Sequence, residues 1–133
     1  WLRFEGGRAV ECGAEKNQAL LEKIIAMDEG ASYLGEAALV PYDSPINRTG
    51  ILFYNTLFDE NACCHLALGR GYSNTIEGFE SYSKSDFADM GVNDSSVHVD
   101  FMIGSEDLKI TGITQTGARV PVFENGVWSA ALR

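Results

Sequence analysis

The chain has 133 residues, of which 45% are hydrophobic, and a formal net charge of −9. This length and hydrophobic content are enough to bury a core, so the sequence predicts a single globular unit. The acidic balance argues against nucleic acid and anionic membranes as partners, because phosphate contacts are made by Lys and Arg. No apolar run approaches the ~18 residues of a transmembrane helix.

The first 30 residues predict a hairpin followed by a helix. Residues 1–5 and 8–12 have strand character and are separated by a Gly-Gly pair that favours a turn. Residues 16–29 have apolar side chains at helical spacing, and Gly30 supplies an end for that helix. We expect this helix to cover the core without taking part in chemistry.

The next segment is predicted to form a strand, and it carries a carboxylate at an unusual position. Glu36 opens residues 35–46, an otherwise apolar stretch that is typical of a buried strand. An unpaired carboxylate is costly to bury, so Glu36 needs a salt bridge or a metal ion.

Residues 50–56 predict a second strand, which leads into a helix that carries His65. The sequence offers alternative caps and alternative C-terminal glycines for this helix: Asp59, Asn61, Gly69 and Gly71. Glu60 lies five residues before His65 and hence about 140° away around an ideal helix. To share a site with His65, Glu60 must reach it from the first turn or the preceding loop.

The most informative segment is the alternating run at residues 95–104. Its apolar side chains fall on one face of a strand, while His98 and Asp100 fall on the other. Two such side chains stand within about 7 Å of each other and can converge on one divalent ion.

The rest of the chain completes an α+β prediction, a mixed sheet with β-hairpins and a few helices. Residues 71–96 form a long polar connection with a short helix near 85–90, which fits a substrate-facing loop or a plain surface excursion. The remaining strands are expected at residues 108–114, 119–123 and 127–129, with a tight turn at 124–126.

Two histidines accompanied by several acids are the usual ligands of a zinc, cobalt or manganese hydrolase. One alternative is an iron(II) oxygenase, but its distant histidine usually follows the His-x-Asp pair, whereas His65 precedes His98. The other is a non-catalytic metal-binding or dimerisation module. The three cysteines are an odd set with two adjacent members, which favours a reduced, cytoplasmic protein.

These segments together resemble the M29 family of metalloaminopeptidases, the thermophilic metalloprotease type that includes aminopeptidases S and T. Motifs in three segments carry the resemblance, in the order and near the spacing of that family: Gly35-Glu36-Ala37-Ala38-Leu39-Val40 with Asp43-Ser44-Pro45-Ile46; Leu57-Phe58-Asp59-Glu60-Asn61-Ala62 with His65, Gly69 and Tyr72; and His98-Val99-Asp100-Phe101-Met102-Ile103-Gly104.

The resemblance implies a two-metal aminopeptidase that hydrolyses N-terminal residues from peptides with a free N-terminus. It assigns the two divalent ions, Zn, Co or Mn, to Glu36, Glu60, His65, His98 and Asp100. It makes Tyr72 the catalytic tyrosine, Glu36 the bridging ligand, and Glu60 either a ligand or the general base. It also implies a homodimer in the full-length protein.

Members of this family are much longer, and one further glutamate ligand lies upstream of the segment that matches Glu36. Residues 1–133 are therefore expected to form the C-terminal part of the catalytic domain. By itself this part is expected to be inactive or nearly so.

Overall fold

The computed structural model describes residues 1–132, which begin with the predicted hairpin. Strands β1 (Leu2–Glu5) and β2 (Arg8–Cys12) pair antiparallel. Gly6 and Gly7 form the turn between them with positive φ values of 56° and 84°, a conformation that glycine adopts without strain.

Helix α1 (Gln18–Ile25) is shorter than the sequence predicts. Asn17 precedes it in the left-handed conformation, with φ of 59°, and Ala26 ends it. Residues 26–29 leave the helix, and the carboxylate of Asp28 there binds backbone and side-chain donors instead. The predicted extension to residue 29 is wrong because these contacts compete with helical hydrogen bonds.

Three strands that are separated in sequence form one sheet, in the order β3 (Leu34–Ala38), β4 (His65–Gly69), β5 (His98–Met102). The hydrogen bonds from Arg70 N to Val97 O and from Ile103 N to Cys64 O show that β4 and β5 are antiparallel. Strand β3 is only half-buried, whereas β4 is almost wholly buried.

His65 begins strand β4, so its predicted helical position is wrong. The run from Cys63 to Leu68 is almost continuously apolar, and such a run fits a buried central strand as well as a helix. Gly69 ends the strand with φ of 96°, and a Cβ there would lie 2.1 Å from the carbonyl oxygen of Val97. Glycine is required here because the backbone of the neighbouring strand leaves no space for a side chain.

The predicted strand at residues 50–56 is absent from the described chain; short helices occur on either side, α2 (Pro45–Thr49) and α3 (Thr56–Asp59). The carboxylate of Asp59 accepts hydrogen bonds from the backbone N–H groups of Phe53 and Asn55, at 2.8 and 3.0 Å. These two donors are therefore unavailable to a strand ladder. The cap of α3 is Asn55, and neither Asp59 nor Asn61 has that role.

The remaining elements confirm the predictions closely. Helix α4 (Lys84–Asp89) begins with a capping box made by Ser83 and Asp86. Strands β6 (Ile110–Ile113), β7 (Arg119–Glu124) and β8 (Val127–Trp128) form an antiparallel sheet. Asn125 and Gly126 make the β7–β8 turn with φ values of 52° and 73°.

The chain divides into two compact units. One unit comprises Trp1–Ala37 and Leu66–Asp100 and includes the N-terminal hairpin, α1 and α4. The other comprises, within the described residues, 38–65 and 101–132 and includes α2, α3 and the C-terminal sheet. These elements confirm the α+β class, with small antiparallel sheets and few helices. No helix within residues 1–132 has the length and apolar character to cross a membrane.

Candidate metal centre

His98 and Asp100 lie in strand β5, and Glu36 lies in strand β3 of the same sheet. The Nε2 atom of His98 is 3.2 Å from Oδ1 of Asp100 and 3.4 Å from Oε2 of Glu36. Nδ1 of His98 lies 2.7 Å from the carbonyl oxygen of Arg70. Because a carbonyl only accepts, Nδ1 carries the hydrogen and donates it. In the neutral ring this leaves the Nε2 lone pair facing two carboxylates.

His65 has the same arrangement on strand β4. Its Nδ1 lies 3.1 Å from the carbonyl oxygen of Cys63, so Nδ1 donates and Nε2 is the acceptor atom of the neutral ring, the atom that could bind a metal ion. One ligand atom from each of Glu36, His65 and Asp100 lies within 4.8 Å of the other two. Glu36 and Asp100 therefore lie close to both histidines.

The donor set fits a divalent cation. Oδ1 of Asp100 is buried and has no hydrogen-bond partner within the described chain, and the whole side chain is only 9% exposed. His98 Nε2 is within ion-pair range of this oxygen but not in hydrogen-bond geometry. An orphaned buried carboxylate oxygen is unfavourable unless a cation neutralises it. Imidazole and carboxylate ligands at one point suit zinc and related ions.

Tyr72 adjoins this cluster. Its ring centroid is 4.8 Å from that of His98, with the two planes tilted by 51°, and the side chain is 49% exposed. Tyr72 and Glu36 both line a cleft of 710 Å³. A Cβ at Gly71 would come within 3.3 Å of the carbonyl oxygen of Gly35, so the small residue lets the chain approach β3 just before Tyr72.

Glu60 is half-buried at the start of a short 3-10 turn, Glu60–Ala62, that follows α3. Its assignment to the metal site stays a prediction. The sequence interpretation missed the carbonyl groups of Cys63 and Arg70, which orient the two histidines. No side chain signals them, because every residue has a carbonyl.

Two further titratable groups lie outside the cluster and are held by ordinary contacts. The Asp28 carboxylate accepts hydrogen bonds from Ser96, Ser95 and the Ala31 backbone, and these bonds hold its pKa well below the usual range. Burial raises the pKa of the Cys64 thiol, which contacts the backbone of Val40. All three cysteines are free.

The sequence matches the family described as Thermophilic metalloprotease (M29) over residues 1–128. It is 55% identical over 128 residues to Aminopeptidase AmpS of Bacillus subtilis (strain 168) and 52% identical over 128 residues to Aminopeptidase T of Thermus aquaticus. Each alignment covers 96% of this chain and 31% of the relative, so the chain spans about a third of the length of these relatives.

The solved structure of wild-type AmpT from Thermus thermophilus has the same fold over the matched part. Its TM-score is 0.84 at 48% sequence identity, and the match covers 96% of this chain and 31% of that one. The family match covers nearly the whole chain, and it agrees with the cluster of imidazole and carboxylate groups on the β3–β4–β5 sheet, which could hold a metal ion. The chain therefore belongs to the M29 family of thermophilic metalloproteases.

Proposed function

We propose that the protein containing this chain is a metal-dependent aminopeptidase, which removes N-terminal residues from peptides at a two-metal site. The observation that carries this proposal is the convergence of acceptor atoms around Oδ1 of Asp100. It occurs in a chain of a metalloprotease family whose relatives are named aminopeptidases.

The ligand assignment follows from the shared carboxylates. Glu36 and Asp100 lie close to both histidines, as a site with two neighbouring ions requires. Glu36, His65, His98 and Asp100 are the residues that would hold the ions, with Glu36 the candidate that both ions would share. Mixed nitrogen and oxygen ligands suit Zn, Co and Mn, and we propose that two ions of this group are bound.

In the reaction, divalent ions supply Lewis acidity and make water a stronger acid at neutral pH. The chain's own groups do the rest. The carbonyls of Cys63 and Arg70 hold the two imidazoles in one orientation and one tautomer. The Tyr72 phenol, beside His98, donates a hydrogen bond to the oxygen on which negative charge develops. Glu60 is proposed as a ligand or as the group that accepts the proton from water.

The substrate proposed is a peptide with a free N-terminus. The chain carries a net charge of −9, which favours approach of a positively charged α-amino group. A cytoplasmic location and a homodimer complete the proposal; the free state of the three cysteines supports the location.

The test uses a full-length protein that contains this chain. We expect hydrolysis of aminoacyl anilides in the presence of Co or Zn, loss of activity on chelation, and recovery when metal is returned. His65→Ala should lower metal content first and activity as a consequence, because a ligand is removed. Elemental analysis and initial rates measure the two effects. Activity that resists chelation would contradict the proposal.

The second candidate, a non-catalytic metal-binding module, rests on the cluster itself, because imidazole and carboxylate groups at one point can hold an ion without any reaction. The isolated 133 residues are expected to show little or no hydrolysis. If a full-length protein bound metal through the same residues but hydrolysed no peptide, this candidate would replace the aminopeptidase.

A further inference from the structure

The cleft beside Glu36 and Tyr72 has a distinct composition. Its volume is 710 Å³, within the range of about 300–1,000 Å³ that is usual for ligand pockets. Glu36 is the one charged side chain among the described residues that line it. The apolar side chains of the lining are those of Leu34, Ala37, Ile76, Met90 and Val92.

One polar residue of the cleft wall, Asn93, is already engaged by contacts within the protein. The Asn93 side-chain amide donates to the carbonyl oxygens of Gly30 and Gly69, at 2.8 and 2.6 Å. The Asn93 backbone carbonyl accepts from the backbone N–H of Gly71 at 2.8 Å. Asn93 therefore fixes the conformation of this wall, and its side-chain amide already donates to two carbonyl groups of the protein.

Among the leucine, isoleucine, valine and methionine side chains of the lining, Met90 is the most exposed. It directly follows helix α4, and its side chain is 48% exposed. A methionine side chain adapts its shape to different apolar partners, whereas a charged ligand group beside it would lose water without gaining a partner.

We propose that this cleft receives the side chain of the substrate's N-terminal residue and that Met90 makes it select uncharged, apolar side chains. The inference rests on the proposed function, because Glu36 and Tyr72 place the reacting peptide bond at one side of the cleft. The first residue of the peptide is the part adjoining that bond. The cleft volume leaves room for aromatic as well as aliphatic side chains.

The experiment compares Met90→Glu with wild type in a metal-loaded, full-length protein. Leucyl, phenylalanyl and lysyl anilides are the substrates. We expect the ratio of kcat/KM for lysyl over leucyl substrate to rise by about tenfold or more, since a pocket that supplies a missing partner discriminates strongly. Met27→Glu is the matched control, because Met27 is 59% exposed, lies outside the cleft and receives the same charge change.

A second measurement does not depend on turnover. The methyl NMR signal of Met90 should shift on titration with leucinamide and respond much less to lysinamide. Hydrolysis with unchanged selectivity in Met90→Glu, or equal changes in Met27→Glu, would overturn the pocket assignment and leave the proposed function intact. A selective Met90 shift without any peptidase activity would support the pocket and overturn the proposed function. If Met90→Glu changed no selectivity and the Met90 signal did not shift, the pocket assignment would be wrong.

Discussion

The loop around Asp28 and the strand around Asp100 each carry a carboxylate, but the two carboxylates differ in the hydrogen-bond donors that surround them. Asp28 accepts four hydrogen bonds, from Ala31 N, Ser95 Oγ, Ser96 N and Ser96 Oγ, at 2.6 to 2.9 Å. Asp100 has a buried oxygen without such a donor in the described chain, and imidazole and carboxylate groups surround it. The first carboxylate is satisfied by donors of the protein, whereas the second has one buried oxygen to which no described residue donates a hydrogen bond.

On this difference we propose that Asp28 is a structural acid and Asp100 a functional one. Where the local polar groups satisfy each other, as around Asp28, the contacts explain the conformation of the chain. Where they leave a buried charge uncompensated, stability alone does not explain them, and such conflicts are expected at functional sites. Similar residues in one protein can thus be sorted by the partners they have.

The largest effect is expected from Asp100→Asn in a full-length protein. Removal of this carboxylate charge should lower metal affinity by more than the ~10–100-fold that loss of a ligand's own hydrogen-bond partner costs, and hydrolysis should fall close to background because the ions are lost. Elemental analysis after dialysis measures the metal, and anilide hydrolysis measures the rate. Asp43→Asn is the control, because Asp43 is exposed and pairs with Arg48. If Asp100→Asn retained full metal content, the proposed role of Asp100 as a metal ligand would be wrong.

Tyr72→Phe should have the next largest effect and separate charge stabilisation from metal binding. Loss of the phenolic hydroxyl should reduce kcat by roughly 10²–10³-fold, the range typical of an oxyanion donor. KM and metal content should change little, because the ring that packs on His98 is kept. Steady-state kinetics and elemental analysis check both points. Near-wild-type turnover would remove Tyr72 from the mechanism.

Asp28→Asn should have the smallest effect on chemistry and act on stability instead. The lowered pKa of Asp28 means that its ionised form is stabilised in the folded state, by bonds from Ser96 before those from Ser95. This contribution is present above the unfolded pKa of about 3.9 and is lost as pH falls through the folded value. The Tm of the variant should therefore be lower near pH 7, and the difference should shrink below about pH 4.

Thermal unfolding of both proteins across this pH range measures the effect, and metal content per folded molecule should stay at the wild-type level. An unchanged Tm near neutral pH would contradict the stabilising role of Asp28. Loss of metal would contradict its separation from the metal site.

Local patterns in the sequence predicted a large part of the fold. The alternation from residue 95 to 104 indicated β5 and placed His98 and Asp100 on one face. The Asn125-Gly126 pair indicated the β7–β8 turn, and the first hairpin followed from its Gly-Gly pair. Each of these features is decided by residues that are close in sequence, so a single chain carries the information.

The failures have non-local causes. The apolar run at Cys63–Leu68 has no clear period, and its strand conformation depends on pairing with residues near 33 and 97–103. The strand expected at residues 50–56 does not form because its backbone N–H groups donate to the carboxylate of Asp59. Helix α1 ends early because residues near Asp28 take part in the contacts of that carboxylate instead. Among the site residues, the structure brings together Glu36, His65, His98 and Asp100, while the role of Glu60 stays a prediction.

Main-chain carbonyls orient both histidines, and this affects how the site can evolve. Substitution at position 63 or 70 changes a side chain but keeps the carbonyl that holds the ring. Natural drift or a mutant library therefore cannot remove either of these two carbonyl acceptors by exchanging a side chain. Replacing one of these amides by an ester through chemical synthesis would weaken the carbonyl as an acceptor and so tune the ligand without altering any side chain.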